Sequence, residues 1–400
     1  MDEQTPIAGV TRPARGTRPS NRRAIILTAA SELIRERGYE HVSMGDIADE
    51  VSVGASALYR HFTSKQRLLL EVVEGAIVPI KAAVDGLDLR NREAGLLALA
   101  DLVLDHSYLG ALWAREVCHL ALEQQDQIGA EVSAIAAEFA AKLGEIRPGL
   151  GAAARDLLAW SVLGVLLGPS FQHQQVSRDE HVVLLADMMS RVLDAAIPAE
   201  CAATAQSAST VKGLMPASRR EALLLQATRL FAQRRYAGVG IEDVAASLGI
   251  AGPSIYNYFS SKSELLAIAL GRAAGHLYLQ VDQALSTHDA CVPALRELIR
   301  SYTDFAVAHP DLVAVLITEA RNLGDPYREE AVQAQRDYVN EWAHLLTGTG
   351  GREIGLVEAR LRVQAALTVV NTVTQVHHLR VAPGAACAVA AVAEAAIGLP

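Results

Sequence analysis

The sequence predicts an all-α protein built from two tandem units of one design. Three observations carry that reading. Hydrophobic residues make up 51% of the 400 positions and aromatics only 5%, so a large core must be filled mainly by Ala, Leu and Val; Ala and Leu are strong helix formers. Apolar residues recur at three- and four-residue spacing, with no sustained two-residue alternation, which is the helical period. The pattern also occurs twice. Arg23 to Leu69 lies on Arg220 to Leu266 without a gap, and 15 of the 47 aligned positions are identical. A fainter repeat follows, in which His106 meets His309, Leu109 meets Leu312 and Glu116 meets Glu319.

In the first half, Ile26, Ala29, Ala30, Leu33 and Ile34 form one apolar helix face. Gly38 stops that helix and Tyr39 follows. Ser43 and Asp46 have capping-box spacing and open a short helix carrying Met44, Ile47, Ala48 and Val51. A turn at Ser52-Val53-Gly54 leads to a third helix, Ala55 to Phe62, and Ser64 caps a fourth with Leu68, Leu69 and Val72. Two short helices joined by a tight turn and packed on a longer one make a helix-turn-helix unit.

The second half repeats each step. Leu224, Ala227, Leu230 and Phe231 make the first face, and Gly240 to Asp243 opens the second helix. Leu248-Gly249-Ile250 is the turn, and Pro253 begins the third helix where its missing N–H costs nothing. Ser261 caps the fourth helix before Leu265 and Leu266.

Three segments frame the repeats: a Pro-rich tail at 1–20, an Ala/Ser/Thr-rich linker at 198–217, and a Gly-rich surface loop at 347–352. A net charge of −9 excludes a generally basic nucleic-acid coat, so DNA contact requires a local surface. Cys118, Cys201, Cys291 and Cys387 form neither a CxxC clip nor a disulfide framework, which points to a reducing cytoplasm. The Met1-Asp2-Glu3 start has no apolar core of a signal peptide. The longest apolar run, Leu157 to Phe171, is shorter than the roughly 20 residues of a membrane span and reads as a buried helix.

The stretches Val53-Gly-Ala-Ser-Ala-Leu-Tyr-Arg-His-Phe-Thr-Ser-Lys-Gln-Arg-Leu-Leu69 and Ile250-Ala-Gly-Pro-Ser-Ile-Tyr-Asn-Tyr-Phe-Ser-Ser-Lys-Ser-Glu-Leu-Leu266 resemble the recognition-helix pattern of tetracycline-repressor (TetR) type regulators. The resemblance covers about 47 residues in each half. It implies units of a three-helix DNA-binding domain plus a helical domain that dimerises and binds a small ligand. On that basis residues 21–70 and 218–266 are DNA-binding domains, and 71–197 and 267–400 are regulatory domains. The family often has Ser or Thr where Gly54 and Ala251 stand, and often Gly at Ser56. Its usual hydroxyl at the second-helix cap is kept as Ser43 but replaced by Gly240. These departures support a rival reading: a small-molecule-binding or interaction protein with degenerate heads and weak DNA binding.

A recognition helix presents its N-terminal residues to base edges in the major groove. Small residues at Gly54, Ala55, Ser56 and Ala57, and at Gly252, Pro253 and Ser254, permit close approach. Tyr59, His61, Tyr256 and Tyr258 suit phosphate contact, and Ser43 could touch phosphate as well as cap its helix. The resemblance implies backbone contacts for Lys65 and Lys262. Base reading falls to Ser56, Ala57, Arg60, Ser254 and Asn257, with Arg60 suited to guanine and Asn257 to adenine. Leu58, Phe62, Ile255 and Phe259 are core. Arg12, Arg15, Arg18, Arg22 and Arg23 form a basic arm or a solubilising tail.

Candidate ligand contacts are Trp113, Glu116 and His119 in the first half and Tyr302, Phe305 and Glu319 in the second, around a pocket for a small apolar ligand. No HxxxH or HExxH, nucleophile elbow, P-loop or dinucleotide motif occurs, so neither metal, cofactor nor catalysis is expected. Helices near Leu150–Leu167 and Asp179–Ile197 are expected to pack against those near Glu353–Leu379 and Ala385–Ile397 as an intramolecular pseudo-dimer. The 20-residue linker reaches at most roughly 66–72 Å, enough to return a domain length.

Overall fold

The computed structural model describes residues 22–171, 176–198, 201, 214–350 and 353–399. They contain helices and no strand. In the first repeat, α1 (Arg22–Arg37), α2 (Met44–Glu50) and α3 (Ala55–Tyr59) form the head, and α4 (Lys65–Asp85) leads into the body. The body continues with α5 (Arg92–Asp105), α6 (Leu109–Arg115), α7 (Leu122–Ile146), α8 (Ala152–Leu167) and α9 (Arg178–Asp194). The second repeat has α10 (Arg219–Arg234), α11 (Ile241–Ala246), a 3-10 segment (Gly252–Asn257) and α12 (Lys262–Thr287). Its body adds α13 (Cys291–Ala308), α14 (Pro310–Glu319), α15 (Tyr327–Thr347), α16 (Leu356–Gln375), α17 (His377–Arg380) and α18 (Ala385–Ile397).

The expected apolar faces are the buried ones: Ile26, Ala29, Ala30, Leu33 and Ile34 in α1, and Leu224, Ala227, Leu230 and Phe231 in α10. The Ser43 side chain accepts from Asp46 N–H while Asp46 accepts from Ser43 N–H, closing the capping box. The Ser43 hydroxyl also donates to the Asp46 carboxylate at 2.6 Å, and this bond with the one from the Ser43 N–H holds that carboxyl below its usual range. Gly240 keeps only the return bond, from its N–H to Asp243 at 2.7 Å. Ser64 and Ser261 cap α4 and α12 by accepting from Arg67 and Glu264 N–H.

The third helices differ from expectation. In the first repeat α3 stops at Tyr59, because Arg60 and His61 bond three residues back, to Ala57 and Leu58, and tighten the last turn. In the second repeat the whole segment is 3-10. Gly252 is a weak helix former, and six residues offer few i→i+4 bonds to offset the cost of starting an α-helix, so the segment closes on three-residue bonds such as Tyr258 N–H to the Ile255 carbonyl. The expected domain boundaries after residues 70 and 266 fall inside α4, of 21 residues, and α12, of 26. Each head is thus joined to its body by an unbroken helix.

The bodies meet through α8 and α9 of the first repeat and α16 and α18 of the second, which are the four elements expected to pair. Gly164 makes the closest approach possible: a Cβ there would lie 2.7 Å from the Val369 Cα. Ala152–Phe171 is a 20-residue apolar stretch, longer than the run read from sequence, and its faces pack against α7, α9 and α16. Asp187 of α9 accepts from the nearly buried Arg362 of α16 at 2.7 Å, an ion pair across the same seam.

A disulfide joins Cys201 to Cys387, 186 residues apart, a pairing that cysteine spacing did not reveal; Cys118 and Cys291 are free. The tail at 1–20, with Arg12, Arg15 and Arg18, lies outside the described residues, as do most of the linker at 198–217 and residues 351–352 of the loop.

Candidate functional site

Both heads turn the same surface outward. Ser43, Gly54, Ser56, Tyr59, Arg60 and His61 are exposed in the first, with Ala57 half-buried; the Ala55 backbone begins α3. Pro253, Tyr256 and Asn257 are exposed in the second, and Gly252, Ser254 and Tyr258 are half-buried. Leu58, Phe62, Ile255 and Phe259 point inward, each no more than 1% exposed. The segments read as base-facing are thereby anchored by two apolar residues each, and their tips stay open to a duplex.

The lysines behave differently from expectation. Lys262 Nζ donates to the carbonyls of Tyr236 and Val239 at 2.8 and 2.9 Å and sits 4.1 Å from the Tyr236 ring centroid. Lys65 Nζ lies 3.9 Å from the Tyr39 ring. Burial pushes both ammonium groups below their usual pKa, against the opposing pull of Glu40. They tie the fourth helix of each head to the corner after its first helix; the donors of Lys262 are directed at protein rather than at solvent. Arg23 and Arg220 are likewise structural, over the Phe62 and Phe259 rings at 4.6 and 4.8 Å. Arg23 also donates to the His61 carbonyl at 3.0 Å, so it belongs to the head and not to a free arm.

Four of the six expected ligand residues lie elsewhere. Glu116 and Glu319 are buried, but each accepts a head backbone N–H: Tyr39 to Glu116 at 3.1 Å and Tyr236 to Glu319 at 3.3 Å. They fasten head to body. His119 stacks on the Tyr39 ring at 4.7 Å, 3.6 Å from Glu116. Phe305 packs between His276 and His309, at 5.1 and 5.3 Å. The repeats are cross-linked at the same level. Arg321 of the second repeat pairs with Glu116 of the first at 2.6 Å, and Arg235 donates to the Ala114 carbonyl at 3.1 Å. Gly38 is required there: its φ is +84°, and a Cβ would meet the Arg321 guanidinium at 2.9 Å.

Trp113 and Tyr302 do line cavities, and the two cavities are unequal. The first-repeat cavity, bounded by Ile77, Trp113 and Trp160, holds only ≈ 50 Å³. The second, bounded by Ala274, Leu316, Tyr302, Tyr338 and Asn371, holds ≈ 270 Å³. In the repeat register, Ile77 matches Ala274 and Trp113 matches Leu316, so larger side chains fill the first. Tyr302 donates to Asn371 Oδ1 at 2.7 Å, and burial raises its hydroxyl pKa to about 12. Leu270, Leu316 and Leu323 line the cavity and also pack against the second head's own apolar core.

Two outward-facing three-helix heads carried on one helical body define a tandem helix-turn-helix protein. The chain consists of two TetR-type units in tandem: residues 26–72 and 223–269 each match the model for bacterial regulatory proteins of the tetR family, and 292–378 match that for the tetracyclin repressor-like C-terminal domain. The HTH-type transcriptional activator FasR of Mycolicibacterium smegmatis is 36% identical over 87 residues, 22% of this chain and 40% of that protein. The HTH-type transcriptional repressor KstR2 of Rhodococcus jostii is 30% identical over 112 residues, 26% of this chain and 55% of that protein. The chain thus spans about half the length of the curated relatives it matches. A solved TetR-like transcriptional regulator from Rhodococcus sp. RHA1 is 24% identical, with a TM-score of 0.36, over 46% of this chain and 96% of that one.

Proposed function

We propose that the chain is a DNA-binding transcriptional regulator, a repressor released by a small ligand, that acts as a covalent pseudo-dimer on an asymmetric operator. The observation that carries this reading is the exposure of Ser56, Tyr59, Arg60, Tyr256 and Asn257 on segments whose apolar residues Leu58, Phe62, Ile255 and Phe259 are buried. Matched positions hold unlike side chains, Arg60 against Asn257 and His61 against Tyr258. Two such heads ask for two different half-sites.

The ligand enters through the second repeat. Its cavity shares Leu270, Leu316 and Leu323 with the core of the second head, so an occupant that displaces them tilts that head. Binding then shifts the population between a DNA-competent and a DNA-incompetent arrangement.

A mobility-shift series on promoter fragments, run at low and high salt, tests the reading. The expected result is one chain per duplex, affinity that falls steeply with salt, and a footprint of two dissimilar half-sites. Absence of any shift at low salt, or a complex containing two chains, overturns it.

A further inference from the structure

We propose that the sensed molecule is an amphipathic anion, an apolar body carrying a carboxylate or phosphate head, and that it binds across both repeats. The inference deepens the sensing part of the proposed function and rests on it. Among the described residues, the ≈ 270 Å³ cavity of the second repeat has no cationic side chain in its wall and one carboxylate, Glu330, so it suits the apolar body and disfavours an anionic head. The cavity is not closed. Gln335, Val339 and Gln364 line it and also line a groove of ≈ 860 Å³ between the repeats. Cavity and groove are therefore adjoining parts of one site.

The groove is cationic. It holds Arg35 and Arg115 from the first repeat and Arg336 and Arg360 from the second, against one acid, Glu36. Arg115 spends its Nε on the Ile317 carbonyl, and Arg360 spends its Nε on Asn340 Oδ1. No carboxylate pairs with Arg336 or Arg360 among the described residues. Glu36 pairs with Arg35 at 3.4 Å, and Glu116 and Glu319 act on Arg115, so in a chain with net charge −9 Arg336 and Arg360 are the guanidiniums left to face an anion. Guanidinium is the side chain best matched to the paired oxygens of carboxylate and phosphate.

The placement ties the ligand to both heads. Arg35 belongs to α1 of the first head, and Leu270, Leu316 and Leu323 of the apolar wall pack in the core of the second. One bound molecule bears on both at once. The first-repeat counterpart, filled by Ile77 and Trp113, is too small to serve as a second such site.

The test is calorimetric titration of the full chain, without DNA and below micelle-forming concentrations, with dodecanoate, dodecyl phosphate, 1-dodecanol and inorganic phosphate. At least one anionic amphiphile is expected to bind one per chain and about tenfold or more tighter than dodecanol. Preference between the two anions identifies the head group. Inorganic phosphate alone is expected not to bind at millimolar concentration. The double substitution Arg336→Ala with Arg360→Ala, at the groove, removes the preference for the anion and leaves dodecanol affinity unchanged. Ala274→Trp, which fills the cavity, abolishes binding of all three amphiphiles while the circular dichroism spectrum is retained. Equal affinity for dodecanol and both anions, a preference that survives the arginine substitutions, or binding that survives Ala274→Trp overturns the inference. None of these outcomes depends on DNA binding, so its failure leaves the reading heads untouched.

Discussion

Arg321 of the second repeat lies 2.6 Å from Glu116 of the first, and the same Glu116 accepts the Tyr39 N–H of the first head. A residue of one repeat thus braces the carboxylate that fixes the other repeat's head. The Glu116 side chain is 2% exposed and that of Arg321 30%. Removing the guanidinium leaves a buried carboxylate short of a partner. Arg321→Ala is expected to destabilise the chain by about 2 kcal/mol, below the range for a fully buried pair because the arginine is partly solvated. Denaturant unfolding measures it; an unchanged midpoint shows the pair to be idle.

The two heads should fail separately. Arg60→Ala is expected to cost about 1–3 kcal/mol in operator affinity and to relax sequence preference in one half-site, and Asn257→Ala to do the same in the other. Lys262→Ala should instead lower the stability of the second head, because it removes two carbonyl hydrogen bonds, and leave base preference unaltered. Footprints on operators mutated in each half separate these outcomes. Loss of preference in both halves from a single substitution would contradict the assignment.

Acid should weaken the fold through its histidines. His181 is buried on α9 with neither ring nitrogen hydrogen-bonded, and burial pushes its pKa below the usual 6.5. Above that pH both folded and unfolded chains hold it neutral. As pH falls below it, the unfolded chain takes a proton that the folded chain resists, so stability declines until the folded pKa is reached. Burial shifts His106, His119 and His309 in the same direction. The melting temperature should therefore drop between about pH 7 and pH 5, and His181→Leu should shrink that drop. An identical pH profile in the variant would exclude His181 as a contributor.

Opening the first-repeat cavity should create a second site. Trp113→Ala is expected to cost about 3 kcal/mol of stability and to enlarge a space of only ≈ 50 Å³. Titration with 1-dodecanol should then approach two molecules per chain. A stoichiometry fixed at one would mean that the neighbouring side chains collapse into the gap.

The heads were legible in the sequence because local rules determine them. Helical period places Ile26 to Ile34 and Leu224 to Phe231 inside, cap residues mark the helix starts, and the repeat ties one head to the other. What escaped depends on partners far along the chain. Glu116 and Glu319 were visible as a matched pair, but spacing cannot show that their partners are the N–H groups of Tyr39 and Tyr236. Arg336 and Arg360 look like ordinary exposed charges until α15 and α16 bring them beside Arg35. Lys262 reads as a surface lysine because nothing local reveals the two carbonyls that receive it. The 3-10 form of Gly252–Asn257 was within reach, since a segment of six residues that begins with Gly weighs against an α-helix.

The joining of α8 and α9 to α16 and α18 within one polypeptide also changes what a mutation can do. In a homodimer every substitution appears twice, so a new base contact must suit both half-sites together. Under the proposed pseudo-dimer, a change at Arg60 leaves Asn257 as it was, and each half of the recognition sequence would be free to drift without dragging the other along.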